Sequence, residues 1–110
     1  LIDKIWGWIG VDLDGTLAEF TEWKGEGHIG KPVPLMLERV NKWLSEGRTV
    51  RIFTSRAEDP QQLPYIRKWL IENGLPQLQI TNVKDHLMTE LYDDKARQVE
   101  KNTGIVIGEK

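Results

Sequence analysis

The sequence contains no cysteine. That absence removes disulfides, thiolate zinc sites and cysteine nucleophiles in one step. Histidine is scarce too: His28 and His86 are the only two, too few and too far apart for a histidine-built metal centre. No apolar run approaches the ~20 residues of a membrane-spanning helix, and no basic-then-apolar signal segment opens the chain. A cytoplasmic protein without a membrane partner is the expectation. Neither sign of charge dominates. Lysine and arginine number 15 against 17 acidic residues, a net charge of −2, so no electrostatic footprint advertises a nucleic-acid or membrane surface. A nucleotide-sized ligand stays open. Repeats, low-complexity tracts and linkers are missing as well. The chain, residues 1–110, therefore reads as one domain, with room for a single core and none for a catalytic domain plus a lid domain.

What is present is an alternation. Residues 5–13 are apolar and glycine-punctuated, too continuous for a strand with one wet face, and predict a strand covered on both sides. Residues 18–32 carry Gly25, Gly27, Gly30, mixed charge and Trp23, the composition of a loop or small flap. Val33, Met36, Leu37, Val40, Trp43 and Leu44 recur at helical spacing, with Pro34 in the first turn and Gly47 just past the end; this predicts a helix. The segment RTVRIFTSR (48–56) predicts a strand ending in hydroxyls, with Arg51 unexplained at its centre. Leu63, Ile66, Trp69 and Leu70 give a second helix closed by Gly74. A short run at 78–81, an apolar-ended run at 87–92, a helix near 94–102 and the strand-like GIVIG at 104–108 complete the chain. Strand–helix alternation predicts an α/β fold with a mostly parallel sheet. Ligands of such sheets bind beyond the carboxyl ends of the strands.

Four features fall at or just past such ends: DLDGT (12–16), FTSR (53–56), Lys84 in NVKDH, and LYDDK (91–95). Asp12 and Asp14 terminate the strand that reads as most buried, and acids at such a place usually serve a purpose. Taken as one site, the four supply two carboxylates, the Thr54–Ser55 hydroxyl pair, an ammonium group, then Asp93 and Asp94. Crowded carboxylates repel unless a hard divalent cation sits between them, and Mg²⁺ prefers such oxygen ligands. A cation, a lysine and hydroxyl donors together describe a pocket for a phosphoryl group. Singly, each feature has a plainer reading. D-x-D-G-T makes turns and caps, Thr54 and Ser55 would cap the next segment, and Lys84 would be solvated. Asp93 and Asp94 would serve as an N-cap pair for a helix at 94–102. Arg56 is either a substrate contact or a surface arginine. His28 and His86 read as structural or solvent-facing, Trp43 and Trp69 as core, and Trp6 and Trp8 as cover for the first strand.

In order and spacing the four features resemble the short motifs of the haloacid dehalogenase-like superfamily of phosphohydrolases, over residues 11–95. VDLDGTL is a very close fit to the first motif, and LYDDK fits one form of the fourth. The resemblance implies a Rossmann-like three-layer α/β/α sandwich with a central first strand. It implies that Asp12 is the nucleophile, forming an aspartyl-phosphate, and that Asp14 protonates the leaving oxygen and then deprotonates the attacking water. Thr54 would hydrogen-bond the phosphoryl group and Lys84 would neutralise its charge. Mg²⁺ would be held by the Asp12 carboxylate, the Asp14 backbone carbonyl and Asp94, with Asp93 supporting the metal through water.

Larger members of that superfamily insert a cap domain after the first or second motif. Here the stretch from Thr16 to the first helix is only flap-sized, and one helix and one strand fill the gap from Arg56 to Lys84. The expectation is a capless phosphatase acting on a small phosphorylated substrate. Two alternatives accompany it: a phosphatase of nucleotides or polynucleotide ends, and a non-enzymatic phosphate-binding regulatory domain. Trp23 would either stack on a substrate base or anchor the flap.

Overall fold

Among the described residues, four short segments form strands, and all four run parallel. A computed structural model describes residues 7–109. Its strands are β1 (Trp8–Val11), β2 (Thr49–Phe53), β3 (Gln79–Thr81) and β4 (Met88–Tyr92), in one sheet of order β3-β2-β1-β4. Helix α1 (Pro34–Ser45) joins β1 to β2, and α2 (Leu63–Glu72) joins β2 to β3. Pro34 opens α1, where a missing N–H costs nothing, and Gly47 follows its end at φ +80°. Gly74 plays the same part after α2, at φ +74°. The α/β reading and the parallel sheet hold, and β1 lies inside the sheet between β2 and β4. No helix among the described residues is long and apolar enough to cross a membrane.

The core forms on one face of the sheet. Ile9 pairs with Val50 and Val11 with Ile52, so these four side chains share a face, where they pack with Val40 of α1 and Ile66, Trp69 and Leu70 of α2. The opposite face is covered differently. Arg51, unexplained by the apolar pattern, lays its guanidinium 4.5 Å from the centre of the Trp8 ring and reaches Asp85 at 3.5 Å. The Trp8 indole N–H donates to the same carboxylate at 2.8 Å. That bond, then the Leu87 N–H, holds the Asp85 carboxyl below the usual range. The described residues thus provide a sheet and one helical layer, with a cation–aromatic cover where a second helical layer was expected.

Two expectations fail at the C-terminal end. Residues 94–102 form no helix, and 104–108 add no strand to the sheet. The chain turns back on itself instead, with a single antiparallel bridge between Val99 and Val106 and left-handed residues at Asn102 (φ 69°) and Gly104 (φ +80°). The physical reason is visible in the sequence. Ala96 and Val99 are the only apolar side chains in 94–102, so a helix there would have no stripe to bury, and propensity alone does not sustain one. Trp6 and the first residues of the expected 5–13 strand lie outside the described residues.

Candidate active site

Asp12, Thr54 and Asp93 each sit one position beyond a strand, and backbone hydrogen bonds lock the first two in place. Asp12 N–H donates to Tyr92 C=O at 2.9 Å, tying the end of β1 to the end of β4, so Asp93 and Asp94 follow directly beside it. Thr54 N–H donates to Thr81 C=O at 2.9 Å, fixing the end of β2 against β3. Beyond β1 the sequence alternates. Leu13 and Leu17 are fully buried, each worth about 1.5–3 kcal/mol of burial. These anchors leave Asp12 and Asp14 lining the crevice, with Thr16 buried against Asp12 and Asp94. The turn needs Gly15, at φ +91°. A Cβ there would stand 2.7 Å from an Asp94 carboxylate oxygen.

Carboxylate oxygens of Asp12, Asp93 and Asp94 lie within 4.8 Å of one another. Thr16, which the sequence reading left without a role, ties two of them together. Its hydroxyl lies 3.4 Å from Asp12 Oδ2 and 3.1 Å from Asp94 Oδ1, and accepts from the Asp94 N–H at 3.0 Å. Asp93 accepts from the Lys95 and Ala96 N–H groups. It therefore caps a turn, as the plainer reading expected, although no helix follows. Burial pushes the Asp12 carboxyl up to about 7 from an ordinary 3.8, aided by a hydrogen bond with Asp94 and the charges of Asp93 and Asp94. The three carboxylates hold more negative charge than they accommodate comfortably near neutral pH. Their donor set is oxygen only and fits a hard divalent cation.

These acids open into a cleft of about 540 Å³ that Asp14, Thr54, Ser55, Arg56 and Trp23 also line. Thr54 is buried, and its hydroxyl accepts from the Arg56 N–H at 3.2 Å, leaving its own proton to donate. Lys84 is not brought into this cleft. It is exposed and lines a neighbouring depression that shares only Asp93 with the first. The lysine lining the main cleft is Lys95, the last residue of LYDDK; its adjacency to the acidic pair was the available signal.

Arg56 is not a surface arginine, although it does line the cleft. It is 5% exposed. Its Nε and Nη2 groups hold both oxygens of Asp14, at 2.7 and 2.9 Å. Its remaining N–H groups donate to the carbonyls of Glu26 and His28 and to Gln62 Oε1. Trp23 lies over the same guanidinium, 4.8 Å from ring centre to Cζ, yet stays 55% exposed. The flap is pinned at its neck as well, by an Ala18–Pro32 bridge and by Trp69 Nε1–H donating to Gly30 C=O at 2.8 Å. Of the tryptophans, Trp69 is core as expected, and Trp43 is half-buried against Tyr92. His28 and His86 are both exposed.

Comparison of the chain with family models, curated proteins and solved structures finds no match.

Proposed function

We propose that the protein is a Mg²⁺-dependent phosphomonoester hydrolase that works through an aspartyl-phosphate on Asp12. The observation that carries this reading is the convergence of Asp12, Asp93 and Asp94 to within 4.8 Å in a cleft whose opposite wall supplies Thr54. Asp12 is the nucleophile: its carboxylate attacks phosphorus and the ester oxygen leaves. To protonate that oxygen, Asp14 must first release one oxygen from Arg56 and take up a proton from solvent. Asp14 regains a proton from the water that hydrolyses the acyl phosphate. Thr54 donates a hydrogen bond from its hydroxyl to a phosphoryl oxygen, and Lys95 adds the positive charge that Lys84, outside the cleft, was expected to supply. Asp12, Asp94 and the Asp14 carbonyl would hold the cation, with Asp93 next to them. Bound there, it would supply charge neutralisation for the nucleophile and the phosphoryl group.

A nucleotide or a polynucleotide end is the substrate class that the flap favours. Phe20 and Trp23 both line the cleft and are 44% and 55% exposed, leaving flat apolar surface where the part of a substrate beyond its phosphate would lie. The deciding experiment is phosphate release with Mg²⁺ from a panel of phosphorylated metabolites, nucleotides and 3′- or 5′-phosphorylated oligonucleotides, for the parent and for Asp12→Asn. Turnover that vanishes in the variant supports the reading. Binding without turnover would replace it with a phosphate-binding regulatory domain.

A further inference from the structure

A guanidinium carries five N–H donors and keeps its charge at any physiological pH. In Arg56 all five are engaged: two by Asp14, one each by the carbonyls of Glu26 and His28, and one by Gln62. None remains for a substrate. Asp14 and Arg56 also line both the main cleft and a second, flap-side cleft of about 290 Å³, so the pair forms the wall between the two. The flap contributes little apolar anchorage of its own. Ile29 packs against the core, whereas Phe20 and Trp23 remain exposed. The buried cation therefore grips two flap carbonyls with one edge and the acid with another.

We infer that Arg56 is a positioning residue that makes Asp14 and the flap a single mechanical unit. The inference rests on the reading of Asp14 as the proton-transferring group. One buried charge sets the direction of that carboxylate and the seat of the flap over the cleft. A disturbance of either reaches the other through the guanidinium. Removing Asp14 leaves a buried cation facing only carbonyl and amide dipoles, a poor replacement for a paired carboxylate. Lysine in place of Arg56 has a single point of attachment and cannot span both partners.

The test has two arms. In the first, amide hydrogen exchange across residues 20–30 is compared for the parent, Asp14→Asn, Arg56→Gln and the double variant. Both single variants should exchange faster by about tenfold or more, and the double variant no faster than either. An Asp14→Asn flap as protected as the parent's overturns the inference, and so do effects that simply add. If Arg56→Gln fails to fold, the Asp14→Asn comparison decides alone. In the second arm, Arg56→Lys is assayed on a small aryl phosphate, where kcat should fall about 100-fold with KM within about twofold. A raised KM at unchanged kcat would make Arg56 a substrate contact and overturn the inference. The exchange arm needs no turnover. A parent without phosphatase activity would remove the functional reading, and the coupling would still stand or fall on exchange.

Discussion

Thr16 and Asp94, far apart in sequence, hold each other by two hydrogen bonds. The Asp94 N–H donates to the Thr16 hydroxyl at 3.0 Å, and that hydroxyl lies 3.1 Å from the Asp94 carboxylate. Thr16→Val keeps the shape and removes both bonds. Groups that orient metal ligands typically carry 10–100-fold in affinity, so Mg²⁺ binding should weaken by about that factor. Calorimetric titration with Mg²⁺ measures it. Equal affinity in variant and parent would show that the hydroxyl orients nothing.

Gly15→Ala and Gly25→Ala form a matched pair. Both glycines have positive φ, +91° and +106°, but only Gly15 is crowded, by the Asp94 carboxylate. Backbone strain should cost each variant about 1 kcal/mol. Gly15→Ala should lose more and bind Mg²⁺ more weakly, because the new methyl displaces Asp94. Thermal melts with and without Mg²⁺ separate the two effects. Identical behaviour of the pair would contradict the crowding argument.

The raised carboxyl of Asp12 predicts a pH dependence of stability without metal. Its value is about 7 in the folded chain against 3.8 in the reference state. Between those values the folded chain keeps a proton that the unfolded chain has released, so Asp12's favourable contribution is complete below about 3.8 and is lost as pH rises through 7. Asp12→Asn, lacking the titration, should therefore be more stable than the parent near pH ~8, and the gap should close toward pH ~4. Because the carboxyl is only partly buried, solvent screening limits the gain to about 1–2 kcal/mol. Urea melts in chelator report it, and a pH-independent gap would refute the cause assigned.

Asp93 and Asp94 should part company under substitution. Asp93→Asn retains an oxygen to accept from Lys95 and Ala96 N–H, so the turn survives. Asp94→Asn disturbs the group that Thr16 orients. Mg²⁺ affinity should drop further for Asp94→Asn, and the opposite order would exchange their roles.

Trp23→Ala addresses the flap. One face of the ring lies over Arg56 while the residue as a whole stays half exposed. Stacking on a base is worth about 1–3 kcal/mol, so KM for a nucleotide should rise about tenfold while that for an aryl phosphate changes little. A rise for both, with a protease-sensitive flap, would make the residue an anchor rather than a recognition surface.

The sheet and both helices were legible because each buries a regular apolar pattern: an unbroken run in β1, a helical stripe in α1 and α2. The acids were legible because they interrupt such runs where a parallel sheet ends. What escaped notice depended on partners distant in sequence. Arg51 looked misplaced until Trp8 and Asp85 were beside it, and Arg56 read equally as a substrate contact or a surface residue until Asp14 and two flap carbonyls converged on it. Thr16 resembled an ordinary turn residue because its partner Asp94 lies on another strand's end. At 94–102 the error was different. The expected helix there had no apolar face to bury, since Ala96 and Val99 are its only apolar side chains.

The neck of the flap has a consequence for how this molecule tolerates change. Ala18 and Pro32 are bridged, Glu19 N–H donates to Lys31 C=O at 2.8 Å, and Val33 N–H donates to Leu17 C=O at 2.7 Å. Gly30 has no room for a side chain beside the Glu19 carbonyl. The excursion is thus sewn shut at its base before α1 begins, and Arg56 holds it beyond the neck through the Trp23 ring and the carbonyls of Glu26 and His28. Thr21, Glu22, Lys24 and Gly25 take no part in these neck or guanidinium hydrogen bonds, so exchanging them should pass little displacement to Asp12. A change at Trp23, which lies over Arg56, would instead be felt at the pair that Arg56 forms with Asp14.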